Sequence, residues 1–191
     1  GTNPENIKDY LNGKGPLTTN GGAGGNAFIH THVNKDSRPD IQLHFMSLTF
    51  NADDGFFMRH LQGLSDRTFN WMMQEKPGAA FIPTLSRPRS KGYIKLASKD
   101  PFIHPIIQPN YLTEEEDVNT LAAGLEFSRE LLDTPSFKAI GAKAYPADPY
   151  CNHLEFQSFE YYKCYARHFA STLYHPVGTA AMGTVLDSRL R

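Results

Sequence analysis

Two stretches near the start of the chain alternate their side chains with a period of two. In Phe28-Ile29-His30-Thr31-His32-Val33, Ile29, Thr31 and Val33 share one face and Phe28, His30 and His32 the other. In Ile41-Gln42-Leu43-His44-Phe45-Met46, Ile41, Leu43 and Phe45 fall together. This pattern belongs to strands buried on one face only, the habit of antiparallel sheets. A polar stretch, 34–40, joins the two. Phe81-Ile82-Pro83-Thr84-Leu85 and Tyr93-Ile94-Lys95-Leu96-Ala97 read as further strands, separated by the basic turn Arg87-Pro88-Arg89-Ser90-Lys91-Gly92. Pro83 puts the first of these at a sheet edge, because proline has no N–H to give to a ladder.

Helical spacing appears between and after the strands. A helix is predicted within 65–76, with Ser65 as its N-cap and Phe69, Met72 and Met73 turned inward. A longer one covers 114–133, where Thr113 and Glu116 have the spacing of a capping box and Val118, Leu121, Ala122, Leu125 and Leu132 form one stripe. A third covers about 156–169, with Phe159, Tyr162, Ala166 and Phe169 inward. Strands mixed with helices, without a regular strand–helix–strand rhythm, predict an α+β fold on an antiparallel sheet. Residues 12–26, rich in glycine and asparagine, read as loop.

Composition narrows the function classes. With 191 residues, 40% of them apolar and 20% charged, the chain can bury a core of ordinary size without a metal or disulfide staple. A net charge of −1 provides no basic field, so nucleic acid is not an expected partner. No apolar run is long enough to span a membrane. The opening residues Gly1-Thr2-Asn3-Pro4-Glu5-Asn6 lack both a signal-peptide pattern and an initiator Met, and a fragment is expected. Cys151 and Cys164 could make one bridge or none, and are too few for a cysteine zinc site. No compartment follows.

Three motifs bear on chemistry. Gly22-Ala23-Gly24-Gly25-Asn26-Ala27 matches a dinucleotide pattern, but that pattern needs a strand before it and a helix after it. With loop before and a strand-like run after, it reads as a loop without a phosphate. His30, His32 and His44 could converge on a transition metal if the first two strands are neighbours, although no carboxylate stands at matching spacing. The third motif is Thr172-Leu173-Tyr174-His175-Pro176-Val177-Gly178-Thr179-Ala180-Ala181-Met182-Gly183. Pro176 favours an extended backbone at His175, and an imidazole on a stiff, glycine-punctuated segment is one way to present a general base.

The run Tyr174-His175-Pro176-Val177-Gly178-Thr179-x-x-Met182-Gly183, with Val185-Leu186-Asp187-Ser188-Arg189-Leu190-Arg191 after it, resembles the C-terminal region of the glucose–methanol–choline (GMC) oxidoreductases. Gly15-Pro16-Leu17-Thr18-Thr19-Asn20-Gly21, Arg87-Pro88-Arg89-Ser90-Lys91-Gly92, Asp100-Pro101-Phe102 and Pro109-Asn110-Tyr111-Leu112 look like landmarks of the same family in the same order, insect members above all. The resemblance implies a two-part flavoprotein. One part binds FAD. The other, to which this chain is similar, presents a sheet of about six antiparallel strands with helices packed on one face.

On that basis residues 1–26 are a linker from an FAD-binding part, and 27–191 are the substrate-binding domain, cut short at its C-terminal end. The resemblance makes His175 the catalytic base for oxidation of a CH–OH group of an alcohol, sugar or sterol, with hydride passing to flavin and electrons then to O₂ or a quinone. It implies no residue of this chain as a defined FAD ligand and no metal. Ala180 departs from the cysteine of many relatives, and the second catalytic His or Asn would lie beyond Arg191. The isolated polypeptide is therefore expected to be inactive. Secretion follows only by family analogy. The alternative is a non-catalytic binding module derived from the same fold by truncation.

Overall fold

The computed structural model describes residues 3–18, 22–47, 49, 59, 62–74, 78–144 and 148–191. Helix α1 (Pro4–Leu11) opens with Asn3, whose side chain accepts the Asn6 N–H at 2.7 Å, and with Pro4 in the first turn, where a missing N–H breaks no helical bond. Strands β1 (Ala23–Ile29), β2 (Ile41–Met46) and β3 (Ala80–Leu85) form one antiparallel sheet in the order β1-β2-β3. Pro83 lies on β3, which is an edge among the described residues, as its missing donor requires.

The sheet differs from the sequence expectation at two points. β1 begins at Ala23, inside the stretch that reads as loop, and ends at Ile29. Its glycines are accommodated by a register shift between Ala23 and Gly25, and its backbone pairs with β2 out to Ile29↔Ile41. Beyond that pair the chain leaves the ladder. Thr31 gives its N–H (2.9 Å) and its hydroxyl (2.6 Å) to the Asp40 carboxylate, closing the connection to β2. Strands β4 (Tyr93–Lys95) and β5 (Ile106–Gln108) make a separate two-stranded ribbon. The described residues hold three strands plus two, and not a sheet of six. Gly92 ends the basic turn at a point where a Cβ would stand 2.0 Å from the Gln108 carbonyl oxygen, so only glycine fits.

Helix α2 (Asp66–Met72) is capped by Ser65, whose hydroxyl accepts the Thr68 N–H at 3.2 Å. The longest helix, α3 (Glu115–Leu131), buries Val118, Ala122 and Ala123. It approaches the sheet at Gly124, where a Cβ would come within 2.9 Å of Pro83 and 3.3 Å of Ile41. Its predicted capping box does not form: Thr113 donates its hydroxyl to the Asn110 carbonyl (3.1 Å), and Glu114 is the N-cap. Buried Asp117 instead accepts the N–H groups of Arg89 (2.8 Å) and Ser90 (2.7 Å), tying the basic turn to the start of α3. The short helix α4 (Pro135–Ala139) follows, and its Phe137 ring meets Phe45 and Phe81 edge-on.

Helix α5 (Phe159–Phe169), capped by Ser158, packs on α3. Ala122, Tyr161, Tyr162 and Cys151 form the core between them. Burial pushes the Tyr162 phenol up to about 12. Cys151 and Cys164 are joined in a disulfide that fixes the preceding loop to α5. The same loop holds α2, since Arg67 lies over the Tyr150 ring at 4.4 Å and donates to the Pro149 carbonyl at 2.8 Å. Among the described residues no helix is long and apolar enough to cross a membrane.

Candidate functional site

Residues directly opposed across an antiparallel pair share a face, and neighbours along a strand alternate. The register of the sheet therefore sorts its side chains in two. Ile41, Leu43 and Phe45 of β2, with Leu85, Pro83 and Phe81 of β3, face α3 and α4. The opposite face carries Phe28, Gln42 and Thr84 in one row, Asn26, His44 and Ile82 in the next, and Met46 with Ala80 in a third. Gln42, His44, Ile82 and Thr84 are half-buried, whereas Asn26 and Phe28 are exposed.

His44 is the singular residue of this outer face. Its Nε2 is closed off from solvent and meets no hydrogen-bond partner. Burial first, and then electrostatic interaction with His175, hold its imidazole below the ordinary 6.5. His175 therefore lies within electrostatic reach of the central strand.

His175 arrives from α5. The helix ends at Phe169, the Ala170 N–H bonds to Ala166 O at 2.9 Å, and the Ser171 hydroxyl donates to Gln62. The Thr172 hydroxyl oxygen accepts the Tyr174 N–H at 3.1 Å and the Tyr111 hydroxyl at 3.4 Å. Tyr174 then takes φ = 61°, a left-handed conformation unusual for an aromatic residue and one that strained functional segments hold. His175 follows it, exposed. Gly178 (φ 81°) and Gly183 (φ 84°) turn the chain after it, and Asp187 closes the segment by accepting the N–H groups of Arg189 and Arg191 and pairing with the Arg191 side chain at 2.8 Å.

The other sequence candidates separate. Gly22–Ala27 lies in and just before β1, where Gly22 O accepts the Ser47 N–H at 2.7 Å, so no helix N-terminus follows the glycines. His30 bonds to the Asp36 carbonyl, and His32 stands 3.7 Å from Glu126 of α3 and 5.9 Å from the Phe159 ring. His44 is on the opposite side of the sheet, so the three imidazoles are not brought together. Cys151, Cys164 and His168 do cluster, but both sulfurs are engaged in the disulfide. Asn26, Gln42 and Thr84 share the outer face with His44. The alternation of β2 placed Gln42 with His44, but only the register adds Asn26 and Thr84.

Residues 88–191 match the family model described as GMC oxidoreductase. The chain belongs to the GMC oxidoreductase family. The match takes in His175 and the whole glycine-punctuated segment around it. The chain is 31% identical over 89% of its length to an alcohol dehydrogenase [acceptor] of Pseudomonas putida, covering 27% of that protein. It is 29% identical over 78% to a choline oxidase of Arthrobacter globiformis, covering 24% of it. Against a glucose dehydrogenase [FAD, quinone] of Drosophila melanogaster the identity is 29% over 82% of the chain, again with 24% of the relative covered. The chain thus spans about a quarter of the length of these GMC relatives. GMC oxidoreductases are FAD flavoproteins acting on CH–OH groups.

Proposed function

We propose that this chain forms the substrate-binding part of an FAD-dependent oxidoreductase that oxidises an alcohol, with His175 as the general base. One observation carries the reading: His175 stands exposed within the segment that matches the GMC oxidoreductase family model, after a Tyr174 held at φ = 61°. Residues 27–191 are the substrate domain, and 1–26 lead into it.

An exposed imidazole on a stiff, glycine-punctuated segment fits a site that a planar cofactor and a hydroxylated substrate would close. Bound FAD supplies hydride acceptance. This chain supplies the proton chemistry and the orientation. His175 takes the proton of the substrate hydroxyl as the carbon loses hydride, a contribution of roughly 10²–10⁴-fold for a well-placed base. His44, whose imidazole burial holds below the ordinary 6.5, stays neutral near pH 7 and leaves proton acceptance to His175. Electrons then leave to O₂ or a quinone.

The test is His175→Ala in the FAD-loaded enzyme. Anaerobic flavin reduction by substrate should slow by about 10²–10⁴-fold with FAD still bound. A variant that reduces its flavin at the wild-type rate would overturn the assignment.

A further inference from the structure

We propose that Cys151, Cys164 and His168 become a zinc site when the Cys151–Cys164 bond is reduced. The loop before α5 is then held by a disulfide in oxidising surroundings and by Zn²⁺ in reducing ones. Neither state depends on alcohol chemistry at His175.

Cys164 and His168 are four residues apart on α5, which puts both side chains on one face of the helix. Cys151 reaches the same point from the loop. The two sulfurs and one ring nitrogen of His168 all lie within 4.8 Å of one another. Zn²⁺ holds thiolate sulfur at about 2.3 Å and imidazole nitrogen at about 2.0–2.1 Å, so its tetrahedral ligand atoms stand roughly 3.5–4 Å apart. The cluster has that scale once the sulfurs part, a shift that the cysteine side-chain torsions provide. The His168 ring stacks on Tyr150, with centroids 5.0 Å apart and planes 18° apart. Stacking covers a face of the imidazole and leaves its in-plane nitrogens open, and neither makes a hydrogen bond among the described residues.

Charge and donor type both select zinc. Two thiolates and a neutral imidazole cancel the charge of a divalent ion, which matters because Cys151 is 0% exposed. Thiolate is a soft donor and imidazole suits the same metal. His168 is exposed, so the fourth position opens toward water. Asp148, three residues before Cys151 in the same loop, adds an independent sign. It is 0% exposed, one carboxylate oxygen accepts the Tyr150 N–H at 2.7 Å, and the other has no partner. A buried carboxylate with an unpaired oxygen favours a cation brought into its surroundings.

A low-molecular-weight thiol supplies the electrons. Its thiolate attacks Cys164 Sγ, the half-buried sulfur of the pair, and forms a mixed disulfide. The S–S bond breaks, and its electron pair passes to Cys151 Sγ, which takes a proton. A second thiol then displaces Cys164, so two small thiols become one disulfide and the protein gains two thiols. Zn²⁺ releases two protons as it binds them.

Zinc titration of the intact protein tests this, with the disulfide either kept or reduced by dithiothreitol that is then removed without air. Zinc retained through gel filtration should rise from none to one per chain on reduction. In chelator competition, His168→Ala should weaken binding to the reduced protein by at least about tenfold, since even a ligand's outer partner is worth about 10–100-fold. That variant keeps both cysteines, so its oxidised form reports on folding. If it does not fold, the two redox states of the wild type decide alone. No stoichiometric zinc after reduction, equal zinc with the disulfide intact, or a folded His168→Ala that binds as tightly as the wild type overturns the site. Should the reduced, metal-free protein lose its near-UV circular dichroism, zinc must restore it, and failure to do so overturns the site equally.

Discussion

The β1–β3 sheet and the β4–β5 ribbon are written in similar residues and end in opposite surroundings. Ile41 and Leu43 of the sheet are 0% and 4% exposed, beneath α3. Ile94 and Ile107, on facing strands of the ribbon, are 57% and 63% exposed, and Tyr93, Leu96 and Phe102 beside them are also open. Alternation tells which side chains share a face. It does not tell whether anything covers that face. The sheet is covered because α3 carries Ala122, Ala123 and Gly124 where bulk would hold it off, and the ribbon has no such helix among the described residues.

The same substitution made in both regions should separate them most clearly. Ile41→Ala should destabilise the protein by about 3–4 kcal/mol, the usual cost of emptying a core isoleucine, whereas Ile107→Ala should stay within about 0.5 kcal/mol in urea unfolding. Equal losses would mean that the ribbon is covered after all and would erase the contrast.

Next in size is the disulfide. It closes a separation of 13 residues, and its removal in the pair Cys151→Ala with Cys164→Ala should cost about 3 kcal/mol by chain entropy, read as a lower Tm. Because it anchors α5 and not the ribbon, protease cleavage near 96–103 should be unchanged by it. Faster cleavage there would show that the two regions are mechanically linked.

A smaller effect should follow from the helix–sheet contact. Gly124→Val forces a side chain against Pro83 and Ile41 and should cost about 1–3 kcal/mol by overpacking. A neutral result would show that α3 can lift from the sheet without penalty.

The smallest effect concerns pH. His44 has its pKa lowered in the folded state, so between that value and the ordinary 6.5 the unfolded chain binds the proton more readily. Stability contributed by neutral His44 is therefore complete above about pH 6.5 and is lost as pH falls through the window below it. His44→Gln should flatten that part of the stability curve in pH-dependent thermal melts. An unchanged slope would mean that burial does not lower the His44 imidazole.

Much of the core was legible in residues 41–46 and 114–133, whose periods match the elements they form. Ser65 could be named as a cap because a single short hydroxyl decides that bond locally. Thr113 could not, since its hydroxyl had a competing acceptor in Asn110 O and Asp117 drew the helix start toward the Arg89–Ser90 turn. His175 was named from its flanking proline and glycines and from family likeness. The strand read over 28–33 differed in extent, because pairing ended at Ile29 and released His30 and His32 from the ladder.

The amino-acid order by itself determined which residues are apolar at strand or helix spacing, which turns need glycine, and which family the His175 segment resembles. Only the tertiary structure decided that β1 starts in a glycine-rich stretch, that His32 sits by Glu126 of α3 and away from His44, and that Asn26, Gln42 and Thr84 share one face of the sheet. The reason is physical. Period and capping act over a few residues of one chain segment, whereas register and coverage are set by pairing between segments that are distant in sequence, where small differences in burial and hydrogen bonding choose among many compatible arrangements.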